Sequence, residues 1–185
     1  LEFGSGGRFK LPLVSDDYAT DVVVQPDKKI VISGYTVAGS RSYMRIVRLT
    51  KEGVLDTTFD NDGILEFYAT FDGHYEANAL ALQSDGKIIV AGKMKVIPSV
   101  DSEFFVARLN ANGTFDSSFA GSGYKHFNMG SSGGDWADTV TVDPYGRIVI
   151  AGLSTNNPDS FGVARLNPDG SFDTRFDGDG KSLTS

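Results

Sequence analysis

Gln25-Pro-Asp-Lys-Lys-Ile-Val-Ile-Ser-Gly34, Gln83-Ser-Asp-Gly-Lys-Ile-Ile-Val-Ala-Gly92 and Asp143-Pro-Tyr-Gly-Arg-Ile-Val-Ile-Ala-Gly152 are three versions of one phrase. Each is a polar turn, an apolar run and a closing glycine. Working outward, an Arg-Leu pair follows each phrase, at Arg48-Leu49, Arg108-Leu109 and Arg165-Leu166. Beyond it come Leu55-Asp-Thr-Thr-Phe59, Phe115-Asp-Ser-Ser-Phe119 and Phe172-Asp-Thr-Arg-Phe176, with Gly63, Gly123 and Gly180 four residues further on. Residues Phe3-Gly-Ser-Gly-Gly7 are a partial copy of the same ending. From phenylalanine to phenylalanine the periods are 56, 60 and 57 residues, the self-similarity of a repeat architecture.

Length changes inside the repeat are confined to particular places. From Ala19, Ala77 or Ala137 to the closing glycine the distance is always 15 residues, and from the arginine to the next glycine it is again 15. From Gly7, Gly63 or Gly123 to the alanine it is 12, 14 and 14, and from the closing glycine to the arginine 14, 16 and 13. These landmarks imply four strands per repeat: A (about Arg8–Leu11 in the first copy), B (Ala19–Val24), C (Lys29–Ser33) and D (Met44–Leu49). In an antiparallel meander the elastic A–B and C–D connections share one edge and the constant ones share the other. Strand C is apolar at successive positions, which predicts burial on both faces, as when each sheet is sandwiched between neighbours. The expected fold is all-β: β-propeller blades, three four-stranded antiparallel repeats, forming a partial propeller or one completed by oligomerisation. A β-trefoil is the rival, although its repeats are shorter. The repeats run 3–58, 59–118 and 119–175, and 176–185 starts a fourth.

Composition agrees with strands and turns. Of the 24 acidic residues in the 185-residue chain, 19 are Asp and five are Glu, and Asp favours turns where Glu favours helices. Little or no helix is expected. A net charge of −7 leaves no basic face for phosphates, so neither nucleic acid nor an anionic membrane surface is an expected partner. The apolar runs are far too short for membrane insertion. With no cysteine, disulfides, thiolate metal sites and cysteine nucleophiles are excluded.

The Gln83–Gly92 phrase and Ala164-Arg-Leu-Asn-Pro-Asp-Gly-Ser-Phe-Asp-Thr-Arg-Phe176 resemble the delta-60 repeat of bacterial β-propeller proteins over nearly the whole chain. Lys28 departs from that pattern by standing where a turn glycine is usual. The resemblance implies large secreted or surface-attached bacterial proteins, hence an extracellular or cell-surface location, and little assigned biochemistry.

Residues present in every repeat are first suspected of holding each blade. Arg48, Arg108 and Arg165 precede Asp56, Asp116 and Asp173 by eight residues, a spacing suited to a tie between strand D and the following connection. Phe59, Phe119 and Phe176 are expected to plug gaps between blades. The acidic turns containing Asp60, Asp62, Asp177 and Asp179 are the metal candidates, since clustered carboxylates suit calcium. The matching turns Gly4–Gly7 and Ala120–Gly123 carry no carboxylate, so plain turn chemistry competes and no cofactor is otherwise expected. Neither His74 nor His126 has the spacing of a zinc site or a triad. Gly130-Ser-Ser-Gly-Gly134 fits Gly-x-Ser-x-Gly but lacks the strand-to-helix context that makes it a nucleophile elbow.

Loops of variable length on a constant scaffold are where recognition is usually placed. The ligand candidates are therefore Tyr35, Arg41, Tyr43, His74, Tyr75, Asp101, Asp135 and Trp136. Acid and aromatic stand together at Asp17-Tyr18, Tyr75-Glu76 and Asp135-Trp136, a pairing that suits a sugar ring and equally suits packing between blades. The first expectation is a non-enzymatic binding or adhesion module with a carbohydrate or protein ligand. The alternatives are a structural unit of a filament or stalk, with self-association through end strands, and a hydrolase or lyase with channel carboxylates.

Overall fold

A computed structural model describes residues 3–11, 16–68, 73–96, 101–130, 133–155 and 159–184. Twelve strands and no helix occur among them: β1 (Asp16–Val24), β2 (Ile30–Ala38), β3 (Arg41–Leu49), β4 (Ile64–Phe67), β5 (Gly73–Leu82), β6 (Ile88–Val96), β7 (Glu103–Leu109), β8 (Tyr124–Phe127), β9 (Asp135–Val142), β10 (Ile148–Ser154), β11 (Ser160–Leu166) and β12 (Lys181–Thr184). Each strand is paired antiparallel with the next within β1–β4, β5–β8 and β9–β12. One parallel bridge, Ser42 to His74, joins the first two groups into an eight-stranded sheet, and the third group is a four-stranded sheet.

The ladders run out of phase with the sequence repeat. Strand A of each copy closes the preceding group: Ile64–Phe67 pairs with β3, Tyr124–Phe127 with β7 and Lys181–Thr184 with β11. Arg8–Leu11, expected as a strand, makes only the isolated Ser5–Arg8 bridge. No strand equivalent to β3 lies beside it among the described residues.

Two apolar layers form the core. Val31, Met44 and Ile46 of the first group pack on Tyr75, Ala77, Leu80, Ile88 and Val90 of the second. Ile89, Ala91, Phe104 and Val106 of the second pack on Ala137, Val140, Ile148 and Ile150 of the third. Burial on both faces therefore holds for β6, where Ile88, Ile89, Val90 and Ala91 are all 0% exposed. It fails for β2 and β10, which alternate between buried and half-buried because only one of their faces meets another group.

The closing glycine of the repeat has a geometric cause. Each first strand carries a bulge, and the chain there presses on the glycine opposite; a Cβ on Gly92 would lie 1.9 Å from the Glu76 carbonyl oxygen. No other residue fits that approach.

Candidate binding rim

The constant connections meet at one rim, and their recurring residues are consumed there. Arg48 Nε donates to Asp56 Oδ2 at 2.7 Å, Arg108 to Asp116 at 2.7 Å and Arg165 to Asp173 at 2.9 Å. Lys29, Lys87 and Arg147, from the turn after each first strand, bring a second cation to the same carboxylates, at 3.1, 2.9 and 3.5 Å. Burial pushes the Asp56 and Asp116 carboxyls up, but bonds from Thr58 and Lys29, or from Lys87 and Ser118, with the arginine behind them, hold both well below the usual carboxylate range. Asp173, bonded by Arg175 and beside Arg165, is held at about 2.

The same residues reach the next group. Arg48 donates to the Ala111 carbonyl and Arg108 to the Pro168 carbonyl. Phe59 and Phe119, both 0% exposed, lie under those guanidinium groups and against Gly113 and Gly170, where a Cβ would meet the ring at about 3 Å. The gap-plugging expected of these rings is what they do.

The elastic connections meet at the opposite rim, as the Ser42–His74 bridge and the Asp135 N–H to Ser102 carbonyl bond (2.8 Å) show. Residues 69–72, 97–100, 131–132 and 156–158 of those connections, including the central Ser132 of Gly-x-Ser-x-Gly, lie outside the described residues. Of the candidates, Tyr43 meets Tyr68 edge-on at 5.7 Å, and Tyr68 is 62% exposed. His74 Nδ1 lies 3.3 Å from Ser42 Oγ, which also donates to Glu76 Oε1 at 3.4 Å, and Glu76 pairs with Lys93 at 3.0 Å. Tyr35 stacks on Tyr18 at 4.9 Å; burial, then Glu76 and Tyr18, push its hydroxyl pKa up. Arg41 is exposed at the start of β3, and Asp101 is half-buried just ahead of β7.

Tyr75 and Asp135 are placed inside the fold. Both hold the register of Asp17, two residues before the constant alanine, and are 2% and 1% exposed. Tyr75 packs edge-on to Phe67, while Asp135 accepts the Met129 N–H at 2.7 Å. Trp136 takes the next position, equivalent to Tyr18 and Glu76, and is half-buried. Acid and aromatic adjacent in sequence thus face opposite sides of a strand and cannot grip one ring together.

Sequence reasoning passed over Tyr68, Lys93 and the polar residue just after each constant alanine. Thr20 Oγ1 donates to the Ala77 carbonyl at 2.5 Å, and Asn78 Nδ2 to the Ala137 carbonyl at 2.8 Å. Their signal was a polar side chain directly after the constant alanine in every repeat. The third member, Asp138, is a carboxylate whose pKa burial pushes up against the pull of Lys93.

In the acidic turns Asp62 Oδ1 accepts the Ile64 N–H and Asp179 Oδ1 the Lys181 N–H, each at 2.8 Å. Asp60 and Asp177 take positive φ, and Asp62 beside it adds to burial in raising the Asp60 carboxyl. Among the described residues no three acidic or imidazole side chains converge. His126 pairs with Glu103 at 2.5 Å, both side chains partly exposed.

The family profile described as a domain of unknown function (DUF5122) β-propeller matches residues 25–59, 83–119 and 146–176, more than half of the chain. The chain belongs to this family. Membership makes the sheets those of a β-propeller, and each matched stretch runs from the turn after the first strand of a group to the recurring phenylalanine. A solved structure of a structural-genomics target assigned as a gluconolactonase is similar at 18% identity and TM-score 0.43, covering 99% of this chain and 51% of that one. The chain thus spans about half the length of that protein. No curated protein matches the chain's sequence.

Proposed function

We propose that the chain is a non-enzymatic binding module of three four-stranded blades of the delta-60 kind, carried at a bacterial surface or secreted, and that it takes a carbohydrate on the elastic rim. The observation that supports this reading is the Tyr43–Tyr68 pair, with Tyr68 exposed and Tyr43 half-buried, on the same face of β3 and β4 as the Arg45–Glu66 ion pair. An aromatic face beside donors and acceptors is the chemistry that holds a sugar ring, the ring stacking its C–H face and the polar groups taking its hydroxyls. At the first two sets of the constant rim the arginines, carboxylates and rings are spent on joining the blades.

A glycan array read with the wild-type chain and with a Tyr43→Ala, Tyr68→Ala variant tests it. Binding by the wild type that is lost in the variant, at unchanged melting temperature, is expected. Binding that survives the double substitution, or no glycan bound at all, removes the reading.

A further inference from the structure

The joint between successive blades is built twice from one set of contacts. At the first joint Arg48 reaches the Ala111 carbonyl, the Asp60 N–H donates to the Asn112 carbonyl at 2.8 Å, and the Phe59 ring covers Gly113. At the second, Arg108 reaches the Pro168 carbonyl, the Ala120 N–H donates to the Asp169 carbonyl at 2.8 Å, and the Phe119 ring covers Gly170. A third set, Arg165, Phe176 and Asp177, has the same internal geometry, with the guanidinium 4.9 Å from the ring centroid. Among the described residues it covers no turn. The Arg165 side chain is accordingly 20% exposed, against 4% and 8% for Arg48 and Arg108, and Phe176 is half-buried where Phe59 and Phe119 are closed off.

The strand faces behind the third set are open in the same sense. Phe161 holds the position of Phe104, yet it is 74% exposed and Phe104 is 0%. The face that would complement it exists on the first blade. Val22 holds the position of Leu80 and is 58% exposed against 5%. Val24 is 63% exposed, and a cavity of about 220 Å³ lies there between Ile32, Gly34, Val47, Phe9 and Leu11. The turn of the first blade that matches Gly113 and Gly170 is Gly53. It is covered by the chain's own Phe3 ring, with the Gly4 N–H donating to the Glu52 carbonyl at 2.7 Å.

We infer that the third blade docks on the first blade of a second copy of this chain, Phe176 taking the place over Gly53 that Phe3 holds. Arg165 then donates to a carbonyl of the Lys51–Gly53 turn and the Asp177 N–H to the Glu52 carbonyl, repeating both internal joints. Phe161 enters the apolar face formed by Val22, Val24 and the cavity. The two surfaces differ, so the contact is head-to-tail, and it propagates or closes according to the rotation between copies. It is independent of the sugar reading, since it uses none of the rim residues.

Light-scattering mass across a concentration series tests it. The wild type is expected to rise above the 19.8 kDa of one chain as concentration increases. Phe161→Ser, a change at an exposed site, should weaken association at least tenfold with melting unaltered, and Phe176→Ala should do the same. Phe3→Ala, which opens the Gly53 turn, should strengthen it. A mass fixed at one chain at every concentration overturns the inference. So does an oligomer indifferent to Phe161→Ser, or one weakened by Phe3→Ala.

Discussion

The two rims are made by the same strands and use their side chains in opposite ways. At the constant rim Arg48, Asp56 and Phe59 and their two equivalents make the same bonds at every blade, and the first two sets also reach across to the next. At the elastic rim one register holds Asp17, Tyr75 and Asp135 in turn: the first is a partly exposed acid bonded to Arg45 at 2.7 Å, the second a core aromatic and the third a buried acceptor. Repetition therefore marks the residues that the architecture requires. Divergence marks the end where the architecture sets no such requirement.

The contrast is broken most directly by truncating one ring at each rim. Phe119→Ala empties a fully enclosed site between two blades and is expected to cost about 3–5 kcal/mol, while Tyr68→Ala stays within about 0.5 kcal/mol. Urea unfolding of both variants measures the difference. Equal costs would mean that the constant rim does not hold the blades together.

Acid should dissolve the constant rim first. Asp56, Asp116 and Asp173 have folded pKa values below the unfolded value of roughly 3.9, so their contribution is fully present above that pH and is lost as pH falls through the folded values, about 2 for Asp173. Stability is expected to be level from neutrality to about pH 4 and then to decline steadily toward pH 2. Circular dichroism melts across that range check it, and a plateau extending to the acid end would show that the three ties carry no stability.

What could be read in the sequence follows the same division. The turn, the Arg–Asp tie and the plugging phenylalanine were legible because they recur with constant spacing, and constant spacing records constant geometry. The phase of the sheets was not. A repeat written from glycine to glycine looks identical whether strand A opens one blade or closes the one before, and only backbone pairing separates the two. The paired acid and aromatic misled for a related reason: neighbours along a strand face opposite ways, and nothing in Tyr75-Glu76 against Asp135-Trp136 says that the order is exchanged between faces. Tyr68 escaped notice because it meets Tyr43 only once β4 has paired with β3.

The smallest expected effect concerns a place where the constant rim departs from its own pattern. The turn after each first strand is closed by an N–H to carbonyl bond, from Lys28 to Gln25 at 2.8 Å, Gly86 to Gln83 at 3.0 Å and Gly146 to Asp143 at 2.9 Å. Lys28 adopts φ 70°, in the same left-handed region as Gly86 at 84° and Gly146 at 76°. An L side chain there carries a penalty of about 1–2 kcal/mol, and glycine escapes it at the expense of about 0.4–1 kcal/mol of added freedom in the unfolded chain. The difference favours glycine, so Lys28→Gly should raise stability by about 0.5–1 kcal/mol. Lys28→Ala keeps the Cβ and the strain and should raise it by much less. Matching gains in the two variants would place the effect in the exposed lysine side chain, and the equivalence of the three turns would then rest on their hydrogen bonds alone.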